Sequence, residues 1–91
     1  MMAKRSLVTA WMKTEAEWAE ETKRLLRAEM ARRGITYEDL AERLAGLGIQ
    51  DTAVNLRNKV ARGRFSAVFL VQCLSALGAR TLRIEENQHA Q

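Results

Sequence analysis

The predicted fold of the chain depends mainly on residues 51–64, DTAVNLRNKVARGR. On a helical wheel the apolar residues of this stretch fall on one side, at positions i, i+3 and i+7: Ala53, Leu56 and Val60. Asp51 or Thr52 can cap the start, because either side-chain oxygen can accept a free backbone N–H of the first turn. Gly63 can end the helix in a left-handed conformation. The stretch therefore predicts a helix of about ten residues with one face in a core.

The other side of this predicted helix is polar and basic. It carries Asn55, Asn58, Lys59 and Arg62, and Arg64 lies just beyond its end. Amide and guanidinium groups can hydrogen-bond to base edges, whereas lysine and arginine neutralise phosphates. The pattern predicts a recognition helix for duplex DNA, and the alternative is an ordinary solvated helix face.

Length and composition indicate one folded, helical domain. The chain has 91 residues, of which 47% are hydrophobic and 29% charged, values typical of a folded protein. It contains no proline and five glycines, which favours helices separated by short breaks. The formal net charge is +4, with local excesses of cations in residues 1–13 and 51–64. Such patches are expected of a protein that binds a polyanion.

Two capping boxes predict the helices that precede the central one. Residues 14–17, TEAE, open a helix that runs to Arg33 and stops at Gly34. Its inward face is predicted to be Trp18, Thr22, Leu25, Leu26 and Met30. Trp18 could instead stack on a ligand, but core packing is the expectation.

The second capping box, residues 36–39 (TYED), opens a short helix through Leu44. Its buried stripe is predicted to be Tyr37, Leu40, Ala41 and Leu44. Residues 45–48 form the turn that follows, and Ile49 is expected to fill the core between this helix and the next.

A fourth helix is predicted between the cap Ser66 and Gly78. Its sequence, AVFLVQCLSAL, is apolar nearly all round, so it must be buried on more than one side. Two explanations stay open: it is the central core helix, or part of its surface is a subunit interface. Cys73 within it is interpreted as a small core residue.

The two ends of the chain are predicted to lie outside the helical bundle. Residues 81–84, TLRI, alternate and predict a short strand, which needs a partner: either residues 6–8 or the same strand of a second molecule. Residues 1–13 are predicted to be an arm, residues 14–84 the domain, and residues 85–91 a polar tail.

No catalytic or metal-binding constellation is evident. The one histidine, His89, lies in the polar tail, the one cysteine lies in an apolar run, and neither a zinc-type spacing nor a glycine-rich phosphate loop is present. We therefore expect no enzyme activity, no cofactor and no metal. A single cysteine excludes an internal disulfide, no apolar run approaches the length of a membrane span, and the N-terminus does not resemble a signal peptide. The expected location is the cytoplasm, with no membrane partner.

Residues 26–63 resemble the helix-turn-helix of lambda-repressor-like regulators. The resemblance is carried by Leu26-Arg27, Gly34-Ile35-Thr36, residues 39–44 (DLAERL), Gly48-Ile49 and Val54, with residues 66–78 as the helix that backs the motif. The run NLRNKVARGRFSAVFLVQCLSALG also looks like a small bacterial family catalogued as a domain of unknown function and assigned to this fold, over most of residues 16–84. The resemblance implies an all-α bundle of four to five helices, with Val54 on the inner face of the recognition helix. With the strand predicted above, this is the expected fold.

The expected function is that of a DNA-binding module, a small bacterial transcriptional regulator with residues 52–64 as its recognition helix. A homodimer through residues 66–84 is expected to place two such helices on double-stranded DNA. The predicted DNA contacts are Tyr37, Thr52, Asn55, Asn58, Lys59, Arg62 and Arg64. The alternative is a homo-oligomeric protein-interaction module of the same fold that does not bind DNA.

Overall fold

Four helices make up the secondary structure of residues 13–84, which are the residues that the computed structural model describes. They are α1 (Glu15–Arg33), α2 (Tyr37–Gly46), α3 (Ala53–Arg62) and α4 (Ala67–Leu77). The predicted all-α class is confirmed. The arm, apart from residue 13, and the tail at residues 85–91 lie outside the described residues, as does His89.

Side-chain caps set where each helix begins. In both predicted capping boxes the threonine and the acid three residues later satisfy each other's backbone N–H: Thr14 with Glu17 before α1, and Thr36 with Asp39 before α2. Thr52 caps α3, because its hydroxyl accepts the backbone N–H of Asn55 at 3.1 Å. Of the two candidates for this cap, the hydroxyl of Thr52 is therefore the one used. The predicted cap Ser66 is confirmed for α4.

One core joins the four helices. α1 and α2 each pack against both α3 and α4. The buried apolar side chains are Leu26, Met30, Ile35, Leu40, Leu44, Leu56, Val60, Phe69, Cys73, Ala76 and Leu77. Tyr37, Ala41 and Ile49, which were predicted to be buried, are partly buried and pack against this core from its margin. Burying each of the leucines contributes roughly 1.5–3 kcal/mol relative to an exposed side chain.

The expectation that Trp18 packs in the core is wrong. Its side chain is 48% exposed, and the Lys13 ammonium lies 4.9 Å from its ring centroid. The reason is helix length: α1 has 19 residues and α3 has ten, and the end of α3 at Gly63 meets α1 at Ala19. Trp18 therefore lies at the edge of the bundle, where α3 ends.

The strand predicted at residues 81–84 is also wrong, because these residues adopt no regular secondary structure. No strand occurs among residues 13–84, so the segment has no partner with which to form β-sheet hydrogen bonds. Instead the segment runs beside α1, where Thr81 and Arg83 share a recess with Leu25 and Glu29.

α4 is only partly covered, although it is apolar nearly all round. Phe69, Cys73, Ala76 and Leu77 are buried, whereas Val68 and Val71 are 67% and 59% exposed. α4 is therefore part of the core and also presents an apolar surface. Its place in the core does not exclude a subunit interface on the exposed side. Within residues 13–84, no helix is both long enough and apolar enough to cross a membrane.

Candidate nucleic-acid interface

The outward face of α3 is exposed, as the burial of residues 13–84 shows. Leu56 and Val60 point into the core, and the residues on the opposite side are exposed: Val54, Asn55, Asn58, Ala61 and Arg62. The polar face predicted from the wheel is thus confirmed as exposed. Val54, which the resemblance placed on the inner face, is 61% exposed, and that expectation is wrong. Leu56 occupies the core position instead.

Lys59 differs from its neighbours because its ammonium is paired within the chain. Its Nζ lies 2.9 Å from Oδ2 of Asp51, whose side chain is only 10% exposed. The other oxygen of Asp51 accepts the Thr52 N–H at 2.9 Å. Burial opposes ionisation of Asp51, but the hydrogen bonds from Lys59 and Thr52 outweigh it, and the pKa of this carboxyl is lowered. Asp51 is therefore the ionised partner of Lys59 at neutral pH.

The same ammonium connects α3 to α4. Its Nζ lies 5.1 Å from the ring centroid of Phe69, which is buried at the start of α4. Burial raises the pKa of the Cys73 thiol, one turn along α4, to about 11, with Lys59 lowering it and Asp51 raising it in smaller measure. A buried thiol with this pKa is protonated at neutral pH and is not a nucleophile.

The cations at the C-terminal end of α3 lie together. Arg62 is exposed and its Nη1 donates to the carbonyl oxygen of Asn58 at 3.4 Å. Lys59, Arg62, Arg64 and Phe65 line a shallow recess of about 140 Å³. At the other end of the helix, Thr52 is exposed and its hydroxyl oxygen is used as the helix cap. Asn55, Asn58 and Arg62 therefore share the exposed face of α3, Arg64 lies near Arg62 just beyond the end of the helix, and Lys59 lies on the flank.

Tyr37 lies on the opposite flank of α3 from Lys59. Its ring is covered by the Arg57 guanidinium, whose Cζ is 5.1 Å from the ring centroid, and its hydroxyl accepts the Nε–H of Arg27 at 3.4 Å. The Arg57 guanidinium is also 4.0 Å from a carboxylate oxygen of Glu38. The structure thus places Tyr37 beside Arg27 and Arg57, away from the cations at the C-terminal end of α3.

A model of the family described as domain of unknown function DUF6471 matches residues 18–82. The chain belongs to this family. No curated protein and no solved structure matches it. The matched range of the DUF6471 domain covers α2, α3 and α4 completely, and all but the first three residues of α1. The sequence resemblance to a catalogued domain of unknown function is thereby confirmed.

Sequence reasoning missed three exposed or partly exposed residues of the DUF6471 domain that bear on this surface: Val54, Arg27 and Arg57. Arg57 is adjacent to the apolar stripe on the helical wheel, and that position gives no signal of function. Only the packing of α2 beside α3 brings it to Tyr37. Within residues 13–84, no group of three or more metal-ligating side chains comes together.

Proposed function

We propose that the DUF6471 domain is a lambda-repressor-like helix-turn-helix module that binds duplex DNA through α3 and acts as a small transcriptional regulator. The observation that carries the proposal is the exposed face of α3, on which two amides and an arginine lie uncovered by the other helices of residues 13–84. A helix of ten residues is about 15 Å long, and the major groove, about 12 Å wide, accepts a helix.

Each side chain of this face has a role that suits its chemistry. Asn55 and Asn58 hydrogen-bond to base edges, and the Val54 methyl groups contact a thymine methyl. Arg62 and Arg64 contact phosphates, and Thr52 contacts a base edge or a phosphate. Lys59 adds less to the affinity than Arg62, because Asp51 already neutralises its ammonium.

The contacts on the flank of α3 complete the proposed interface. Tyr37 lies at the start of α2, where its phenol oxygen is shared with Arg27. Contact with the DNA backbone at this point involves the phenol together with the Arg57 guanidinium that covers its ring. Two separate groups of phosphate contacts, one on each side of α3, would fix the orientation of the helix in the groove.

Fluorescence anisotropy with a labelled random 20-base-pair duplex tests the proposal. Binding is measured from 50 to 300 mM salt for the wild type, Arg62→Ala and the control Arg80→Ala, which removes an exposed arginine beyond α4. Loss of one phosphate contact should reduce the slope of log K against log salt by about 0.9. We expect this reduction for Arg62→Ala and no change for Arg80→Ala. Equal slopes for all three proteins, or no binding at 50 mM salt, would refute the proposal.

The amides require a second measurement, because random duplex does not report sequence preference. Binding sites are selected from a random DNA library with the wild type and with the double variant Asn55→Ala, Asn58→Ala. We expect a sequence preference for the wild type, and weaker preference for the variant with its salt slope unchanged. An identical preference for both proteins would remove the amides from the interface.

The second candidate is a homo-oligomeric interaction module, favoured by the exposed Val68 and Val71 of α4. These side chains lie one turn apart, on a face of α4 that the other helices leave uncovered. A homodimer formed there is compatible with DNA binding and would place two half-sites about 34 Å apart, or a multiple of it. Sedimentation equilibrium of wild type and Val71→Glu separates the candidates: a stable oligomer lost in the variant, with no duplex affinity, favours the interaction module alone.

A further inference from the structure

A recess of about 430 Å³ opens between α1, the start of α2 and α3. Met30 and Ile35, both buried members of the core, form part of its apolar wall. Its polar side is lined by Arg27, Thr36, Tyr37, Glu38 and Arg57. An apolar wall with a few convergent polar groups, at a volume of roughly 300–1,000 Å³, is typical of a small-molecule site.

Arg27 stands apart from the other basic residues of α1. Lys23, Arg24, Arg32 and Arg33 each form an ion pair with a glutamate of the same helix. Arg27 has no carboxylate partner among the described residues, and its Nε–H donates to the phenol of Tyr37 instead. The N–H groups on Nη1 and Nη2 of Arg27 can therefore donate to a partner from outside residues 13–84.

Arg57 approaches the same tyrosine from α3. Its guanidinium covers the ring face, and its nearest carboxylate, Glu38, is 4.0 Å away and largely exposed to solvent. An ion pair at this distance and exposure contributes little, so Arg57 can exchange Glu38 for a better-placed anion. Two guanidinium groups from two helices thus meet at one phenol, beside an apolar wall.

We propose that this recess binds a small organic anion with an apolar body. The carboxylate or phosphate of the ligand lies between Arg27 and Arg57 and accepts charge-assisted hydrogen bonds, which are the strong ones. The apolar body of the ligand packs against Met30 and Ile35. The proposal does not depend on DNA binding, although Arg57 belongs to the helix that is proposed to enter the groove.

NMR titration of the ¹⁵N-labelled full chain with 2-naphthoate tests the site. Backbone amides of residues 34–38 and of Arg57 are expected to shift, and 2-naphthoate is expected to bind at least tenfold more tightly than uncharged 2-naphthalenemethanol, acetate or inorganic phosphate. Equal affinity for 2-naphthalenemethanol would show that the arginines are not used. Equal affinity for acetate or phosphate would show that the apolar wall is not used. Either result, or shifts confined to other residues, overturns the proposal.

Arg27→Met and Arg57→Met remove the charge and keep an unbranched apolar side chain, and Arg80→Met is the matched control. Each recess variant should weaken 2-naphthoate binding about tenfold or more, and the control should bind within twofold of the wild type. The two variants change different helices, and their spectra report whether each one remains folded. If both folded variants bind like the wild type, the proposal is wrong.

Addition of the random duplex in place of 2-naphthoate distinguishes this site from a phosphate contact of the DNA interface. If the duplex shifts residues 34–38 and 2-naphthoate does not, the recess serves DNA and the small-anion proposal fails. If Arg62→Ala loses duplex binding and keeps 2-naphthoate binding, the ligand site stands independently of the proposed function.

Discussion

Replacing Gly63 by alanine tests how α3 is held against α1. Gly63 ends α3 with φ of 69°, a left-handed conformation, and it is buried against the first turns of α1. A Cβ added there would lie 2.2 Å from the carbonyl oxygen of Ala19 and 2.9 Å from its carbonyl carbon. Both atoms belong to the backbone, so no side-chain rotation relieves the clash and the two helices must move apart.

Two costs add at this position. A left-handed conformation costs a residue with a side chain about 1–2 kcal/mol. Overpacking in a closely packed interface costs roughly 1–3 kcal/mol more. Gly63→Ala should therefore reduce the free energy of unfolding by about 2–5 kcal/mol. For a domain of this size such a loss lowers the midpoint of thermal unfolding by at least about 8 °C.

Gly34→Ala and Gly78→Ala are matched controls. Both glycines end a helix with similar φ, 65° and 79°, but no packed neighbour among residues 13–84 lies within 4 Å of a Cβ at either position. These variants should incur only the conformational cost of about 1–2 kcal/mol. Urea and thermal unfolding followed by circular dichroism measure all three. If Gly63→Ala is no less stable than the two controls, the close contact between α3 and Ala19 does not exist in solution.

Three further predictions concern the core and its charges. Leu56→Ala, at the centre of the buried face of α3, should lower the free energy of unfolding by about 2–5 kcal/mol in urea titration, whereas exposed Val54→Ala should change it by less than about 0.5 kcal/mol. The hydrogen bond from Arg32 lowers the pKa of buried Glu29 against the opposing effect of burial. Ionised Glu29 therefore stabilises the fold at neutral pH, and this stabilisation is lost as the pH falls from the ordinary pKa of 4.5 through the lower pKa of the native state. The difference in the free energy of unfolding between wild type and Glu29→Gln should accordingly shrink between pH 7 and pH 3. A difference that stays constant over this range would contradict the prediction. Cys73 should react with a thiol reagent only as fast as the domain opens, and rapid reaction of the folded protein at pH 8 would contradict its burial.

Local signals predicted the helices well. The boxes at Thr14 and Thr36, the serine at Ser66 and the left-handed glycines act within four residues of chain, so their chemistry is visible without any tertiary contact. The same holds for the outward face of α3, because the 3.6-residue period places Asn55, Asn58 and Arg62 opposite the buried Leu56 and Val60.

Predictions that depended on contacts between distant parts of the chain were less successful. Whether Trp18 is covered depends on where α3 ends against α1, and whether residues 81–84 form a strand depends on a second strand being present. The helical wheel alone predicts Lys59 as a DNA contact. Its pairing with Asp51, eight residues earlier, depends on how the turn before α3 folds back.

Hydrogen bonds and periodicity within short stretches make the helical class, the caps at which the helices begin and the amphipathic division of α3 predictable from the sequence. The end of α2 is an exception, because the helix predicted to stop at Leu44 continues to Gly46. Tertiary contacts, in contrast, set the ion pair of Lys59 and the surroundings of Arg27 and Arg57. They pair Lys59 with Asp51 and bring Arg27 and Arg57 together at Tyr37. The physical reason is that an ion pair acts over a few ångströms in space, and only folding brings residues distant in the chain within that range.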